Sequence, residues 1–461
     1  MKRKEFAISC ILFFIITIFF LWQHSKCFGW DFQAYVLNAK YMFSNGSYFE
    51  WGRPPLVPFL IGIFSIFGWK ASEYIFITVV SFIHFLSIMF LSKKFKVPIY
   101  LLYPLSITPF FLKYSVFEGT ELLSLGFLQF FVTFLSTRLS SLFLGLAFLT
   151  RYTNLIFFPL LIFKIKKKDL KKPKSLLKKS LEEASIFLLV VSPWLLYNYI
   201  YSGHPLTSIM DSYALNIKFR SYIHEPPNIL HFVEVINIAL PFSILGILSG
   251  WKIHKRSYVK ILSFLALGIF SYCRIPLKLS RYLFPVLLPC SFFSSRFFQL
   301  QLIKNKKILT CFLITSFLTI SLVSGVLFTL KEGNIFKENM NFYKNTVHTL
   351  KDQIDNCTLA SDVYVPLNYL GIKCDIAPRK EILEYKIEKG YRVLLFRNMQ
   401  INKFVLNKTQ DYILLGNPQK CAKHETFNKT YLQSIQELYR LAYNQTFKIT
   451  AWELFFTKKS A

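Results

Sequence analysis

Four ionisable residues stand hard against long apolar runs. Asp31 lies just past Phe6–Trp22, Glu121 opens Leu122–Leu135, Arg151 interrupts Leu139–Lys164, and Arg281 heads a run at 282–298. A charge beside hydrocarbon is expensive unless it is paired, so such residues are functional candidates by default. Their types are complementary. Carboxylates exchange protons and meet positive charge, and the arginine fork grips phosphate or carboxylate oxygens in pairs. The cost is tolerable if acids and bases meet around one polar cavity. Arg53, Glu118 and His204 lie in loops next to apolar runs and extend the candidate set. Asp211, Arg220, Arg274 and Lys278 read as ordinary solvated loop charges.

These residues need elements to hold them, and composition says which kind. Of 461 residues, 53% are hydrophobic and 51 are Phe, while only 17% are charged. Several runs reach the roughly 17–25 residues a helix needs to cross hydrocarbon. The chain therefore reads as a polytopic, all-α membrane protein. Its net charge of +30 does not imply nucleic acid as a partner, because the cations cluster between apolar runs, most densely in KIKKKDLKKPKSLLKK (Lys164–Lys179). Positive loops retained in the cytoplasm, next to anionic membrane lipids, account for that pattern. Phe6–Trp22 is long for a signal peptide and no A-x-A-like site follows, so it reads as an uncleaved first helix with the N-terminus inside.

Continuing along the chain gives about eleven spans, each near the minimum crossing length or above it. Leu56–Trp69 is too short for one and reads as an interfacial helix, whereas Val97–Leu112 reads as a returning span. Leu139–Lys164 has basic residues at both ends, so it must be two short helices turning at Thr150-Arg151-Tyr152. The spans end near residue 330, dividing the chain into a membrane domain (1–330) and an extracytoplasmic C-terminal domain (331–461). N-x-[ST] sequons at Asn45, Asn356, Asn407, Asn428 and Asn444 all fall in segments assigned outside. The tail alternates strand-like TLASDVYV, YRVLLF and DYILLG with helical TYLQSIQELYRLAY, which predicts a small α/β domain. Cys357, Cys374 and Cys421 allow one disulfide there, with one thiol left over. No His/Cys spacing suggests zinc.

The motifs WDFQAYVLNAKYMFSNG with RPPLVPFL, FEGTELLSLGFL, GLAFLTRYTNLIFFPLL, SPWLLYNYIYSGHPL and SRYLFPVLLP occur in that order over most of 30–290. In this the chain resembles the GT-C class of membrane glycosyltransferases, especially the protein O-mannosyltransferase and aminoarabinose-transferase branch. The resemblance implies an enzyme that moves a sugar, with mannose among the candidates, from a polyprenyl- or dolichyl-phosphate donor to a glycan, protein or lipid acceptor. It implies a multi-pass protein of the cell membrane, or of the endoplasmic reticulum in a eukaryote. It makes Asp31 the general base and Glu121 the second catalytic acid, with Glu118 a further candidate. Relatives often carry a paired acid where this chain has Asp31-Phe32. No metal or cofactor is implied, although a divalent ion is left open. A phosphate leaving group needs fixed cations rather than an acid to protonate it, which assigns Arg151 and Arg281 to the lipid phosphate with Arg53 behind them. His204 is a further candidate for phosphate or sugar. The competing reading is a lipid or glycan flippase or transporter. Such proteins usually show internal repeats and matching broken helices, and no repeat is visible here.

Overall fold

The computed structural model describes residues 3–165, 173–219, 225–303, 306–354, 357–397, 403–423, 428, 430–446 and 449–456. Arg220 and the centre of the lysine cluster lie outside the described residues. Among those described, five helices are long and apolar enough to cross a membrane: Lys4–Lys26, Trp69–Phe95, Leu177–Ser202, Ser280–Ile303 and Lys307–Thr349. A sixth crossing is formed if Ile229–Ile236 and Ala239–Ser249, bent by 89°, are taken as one. The chain is a multi-pass helical membrane protein.

Of the about eleven crossings expected, length and composition support five or six among the described residues, and the other apolar helices are shorter. Helices α1 (Arg3–Lys26), α2 (Trp30–Phe43), α3 (Leu56–Phe64) and α4 (Trp69–Phe95) are followed by a break in the expected span Val97–Leu112. That segment is two short helices, α5 (Ile99–Ser106) and α6 (Pro109–Tyr114), rather than one. Pro109 has no N–H to continue a helix, and the Thr108 hydroxyl restarts it by accepting from the Phe111 amide at 3.1 Å. Irregular backbone at membrane depth is tolerated where protein covers it, and α5 and α6 are almost wholly buried. Every residue of α7 (Glu121–Thr133) is buried too.

The expected turn at Arg151 is present. Helix α8 (Leu139–Thr150) ends there, Arg151 is extended, and a 3-10 segment runs back from Tyr152 to Lys164. The Asn154 amide locks the reversal by donating to the Ala147 carbonyl at 2.7 Å and the Ser124 hydroxyl at 2.8 Å. The helical stretch Ala239–Arg274 cannot be straight either. The Tyr258 hydroxyl donates to the Gly246 carbonyl at 2.9 Å, whereas twelve residues of straight helix would separate them by about 18 Å. The chain folds back there, as two separate runs at 231–251 and 258–273 require.

The last long helix continues unbroken from Lys307 to Thr349, through the expected domain boundary, and leads into a five-stranded sheet. The strands are β1 (Leu359–Ser361), β2 (Asp375–Ile376), β3 (Arg392–Leu395), β4 (Val405–Lys408) and β5 (Ile413–Leu415), in the order β2-β1-β3-β5-β4. β1 pairs in parallel with β2 and β3, and β5 is antiparallel to β3 and β4. The three strand-like runs supply β1, β3 and β5. In TLASDVYV the strand stops at Ser361, and Tyr364–Tyr369 is helical with Pro366 in its first turn, where a missing N–H costs little. TYLQSIQELYRLAY is helical over Tyr431–Tyr443, started by a capping box between Thr430 and Gln433. Cys357 and Cys421 form the disulfide and Cys374 is the leftover buried thiol.

This domain seats directly on the membrane helices. The Tyr369 hydroxyl donates to Glu73 Oε1 at 3.0 Å, and Glu73 Oε2 meets His24 Nε2 at 2.7 Å, joining the domain to the adjacent ends of α4 and α1. Asp211, expected to be solvated, is buried instead, and it accepts from the Leu432 amide at 3.0 Å. Lys278 is also buried, its ammonium donating to the carbonyls of Cys273 and Ile275. Both charges lie where the chain packs on itself, so loop position alone misjudged them. If basic loops stay in the cytoplasm, single cysteines at Lys174 and Lys389, both exposed, will differ in labelling on intact cells. In a background lacking the free native thiols, an impermeant maleimide will label Lys389→Cys directly and Lys174→Cys only after permeabilisation. Labelling of both on intact cells would overturn this orientation.

Candidate functional site

The site forms at the face of the helical bundle that carries the C-terminal domain. Asp31 occupies the first turn of α2, where the positive end of the helix dipole favours a carboxylate. Arg53 Nη1 donates to Asp31 Oδ1 at 2.9 Å, and Arg281 Nη1 donates to Oδ2 at 2.6 Å. One carboxylate is thus held between guanidinium groups from two distant parts of the chain. Burial works to raise the Asp31 carboxyl, but the two arginines outweigh it and hold it below the usual carboxylate range.

Arg53 is aimed from several sides. It closes the loop between α2 and α3, followed by two prolines that stiffen the exit. Its Nε donates to Glu50, and its guanidinium lies over the Tyr35 ring, 5.2 Å from the centroid. Arg281 opens the 3-10 segment Ser280–Val286, which leads into the helix Leu287–Ile303. Its Nε is buried and has no hydrogen-bond partner among the described residues. A buried, unpaired guanidinium N–H is uncommon and calls for an explanation, such as a ligand oxygen.

Glu118 is the second acid nearest Asp31. Its Oε2 accepts from the Asp31 amide at 3.3 Å and lies 3.6 Å from Arg281 Nη1. Gly29 makes this approach possible, since a Cβ there would come within 2.3 Å of Glu118 Oε2. Gly119, in the left-handed region at φ 92°, then turns the chain so that Glu118 and Glu121 point to different partners. Glu121 Oε1 accepts from Arg151 Nη1 at 2.9 Å, and its Oε2 accepts from the amide and hydroxyl of Thr120. The Tyr282 ring joins the two clusters, with the guanidinium carbons of Arg151 and Arg281 each 5.8 Å from its centroid.

Exposure differs across the set. Asp31 and Arg281 side chains are each 24% exposed, whereas that of Glu121 is 1% exposed. Asp31 and Arg281 are the most open of the set, Glu121 is closed off, and Arg151 is as partly open as Arg53. His204 sits apart on an exposed loop, its Nδ1 accepting from the Leu206 amide at 3.2 Å. Sequence reasoning missed Glu50, Tyr35 and Tyr282. Glu50 lies three residues before Arg53, a spacing that could have flagged it. Nothing in the sequence marks the tyrosines.

Three guanidinium groups (Arg53, Arg151, Arg281) face four carboxyls (Asp31, Glu50, Glu118, Glu121), and the charges balance if Glu118 keeps its proton. Burial, then the neighbouring Asp31 charge, push the Glu118 carboxyl up to about 8. The folded chain then holds a proton that the unfolded chain has lost above its ordinary value, so this group's contribution to stability falls as pH rises toward 8. Glu118→Gln is expected to gain thermal stability relative to wild type between pH 5 and pH 9. Melting curves giving a constant difference across that range would place an ionised carboxylate in the fold throughout.

No protein-family model matches the sequence, and no curated protein does. Solved structures do. The chain superposes on ArnT from Cupriavidus metallidurans bound to undecaprenyl phosphate with a TM-score of 0.60 at 11% identity, over 88% of this chain and 97% of that one. The apo form of the same protein gives 0.56 at 11% identity, over 89% and 98%. At this identity the likeness concerns fold, and the chain has an ArnT-like GT-C fold along nearly its whole length.

Proposed function

We propose that this protein is a membrane glycosyltransferase that takes a sugar from a polyprenyl-phosphate carrier and passes it to a hydroxyl-bearing acceptor at the face covered by the C-terminal domain. The observation that carries this reading is Asp31, partly open and held between Arg53 and Arg281, beside a buried Arg281 N–H with no partner among the described residues. The shared fold with a protein solved with undecaprenyl phosphate supports it. The sugar, with mannose one candidate, the carrier and the acceptor class are left to the assay.

Each group has a role that follows from its surroundings. A donor phosphodiester is anionic and competes with Asp31 for both guanidinium groups. As Arg281 and Arg53 turn to phosphate oxygens, Asp31 loses the charges that suppress its basicity. The freed carboxylate takes the proton of the acceptor hydroxyl. The acceptor oxygen bonds to the anomeric carbon as that carbon's bond to the phosphate oxygen breaks, through an oxocarbenium-like state that a carboxylate stabilises. The electron pair leaves with polyprenyl phosphate, whose growing charge the arginines hold in place. Glu121 neutralises Arg151, which shares the Tyr282 ring with Arg281 and stands as a further cation for the phosphate. The C-terminal domain lies outside in this reading.

A panel of radiolabelled polyprenyl-phosphate sugars, incubated with purified protein, tests the proposal directly. Asp31→Asn should keep its fold and lose roughly 10²–10⁴-fold in turnover. Wild-type turnover in that variant would remove Asp31 from the chemistry. For Arg281, activity should fall in the order Arg, Lys, Gln, with kcat and kcat/KM falling together because the lost contact strengthens as the phosphate leaves. Glu121→Gln is expected to act mainly on folding, since removing one partner of a buried ion pair typically costs about 3–5 kcal/mol. A large loss of turnover at unchanged melting temperature would instead put Glu121 in the reaction.

A further inference from the structure

Three contacts from the far end of the chain converge on the short segment that presents Arg53. The Tyr364 hydroxyl, from the C-terminal domain, donates to Glu50 Oε1 at 3.2 Å. Asn428 Oδ1 accepts from the Trp51 indole at 2.8 Å, and its amide donates to the Tyr41 hydroxyl at 2.8 Å. Asp211, which holds the Leu432 amide, also accepts from the Gly52 backbone. Glu50, Trp51 and Gly52 are thus each tied to that end, directly or through Asp211, and the next residue is Arg53.

Glu50 is built to transmit this. Its backbone is fixed to α2 at both polar groups, the amide donating to Asn38 Oδ1 and the carbonyl accepting from Asn38 Nδ2, each at 2.9 Å. Its carboxylate accepts from the Tyr48 and Tyr364 hydroxyls on Oε1 and from Arg53 Nε on Oε2. A carboxylate gripped by two hydroxyls has one direction left in which to hold a guanidinium. Arg53 continues the line to Asp31 Oδ1.

We infer that Glu50 and Tyr364 are positioning residues through which the seated C-terminal domain sets the aim of Arg53, so that the Asp31 site is competent only when that domain is docked. The inference rests on the transferase reading and adds a task for the domain: an acceptor that binds there and shifts Tyr364 alters the site without touching it. The ordinary alternative is that the three contacts only glue two parts together.

The full-length protein in detergent or nanodiscs separates these. Tyr364→Phe is expected to lower kcat about 3–10-fold, the value of roughly one hydrogen bond, and Glu50→Gln to lower it further, with Glu50→Asp restoring part of the loss. Tyr369→Phe cuts a docking contact to Glu73, away from the segment that presents Arg53, so it should lower melting temperature while keeping kcat per folded molecule. Because both residues act through one line, Tyr364→Phe should add little in the Glu50→Gln background. Wild-type kcat in Tyr364→Phe and Glu50→Gln, or kcat falling in step with melting temperature across all variants including Tyr369→Phe, would overturn the inference. If wild type transfers no sugar and binds no undecaprenyl phosphate, the transferase reading fails on its own. The line is then judged by a Tyr364→Phe, Arg53→Gln double-mutant cycle in melting temperature, where strict additivity would overturn it.

Discussion

The arrangement depends on one carboxylate neutralised from both sides. Asp31 receives a guanidinium on each oxygen, one from the adjoining loop and one from a helix 250 residues away. At the edge of hydrocarbon, separated charges of this kind would each be costly, and bringing them together removes most of that cost. In the transferase proposed above, the donor phosphate offers the same arginines an alternative partner, and the carboxylate gains basicity when they accept it.

The rest of the membrane domain shows how such a cluster is housed. Elements too short to cross lipid, such as α5, α6 and α7, are tolerable because neighbouring helices cover them. Two candidate-site residues come from helix ends. Arg151 comes from the turn between α8 and the returning 3-10 segment, and Glu121 from the first position of α7. A helix end lets a long side chain leave the bundle's packing and reach a shared polar space.

The C-terminal domain is closely tied to that space. Its Tyr369 meets the buried Glu73–His24 pair, and its Tyr364 meets the carboxylate that orients Arg53. The sequon at Asn428 acquires a different meaning in this setting. Its side-chain amide is engaged at both ends, by Trp51 and Tyr41, so in this fold it is a structural contact rather than an open attachment point.

Much of this could be read from the order of residues alone. Long apolar runs with basic ends can satisfy their backbone only as helices in lipid, so the membrane class, most helices and the reversal at Arg151 follow from the sequence. The strands at 359–361, 392–395 and 413–415 follow likewise from β-branched and apolar runs in a polar tail. The types of the site residues were legible too, since acids and arginines beside hydrocarbon must find one another. Which of them pair was not. Glu118, not Glu121, lies against Asp31, Lys278 and Asp211 are buried, and Glu50 and Tyr364 belong to the site's support. The reason is physical: helix and strand formation repeat along the chain and leave a periodic trace, whereas ion pairing acts through space and depends on which helix ends the packing brings within about 3 Å of one another.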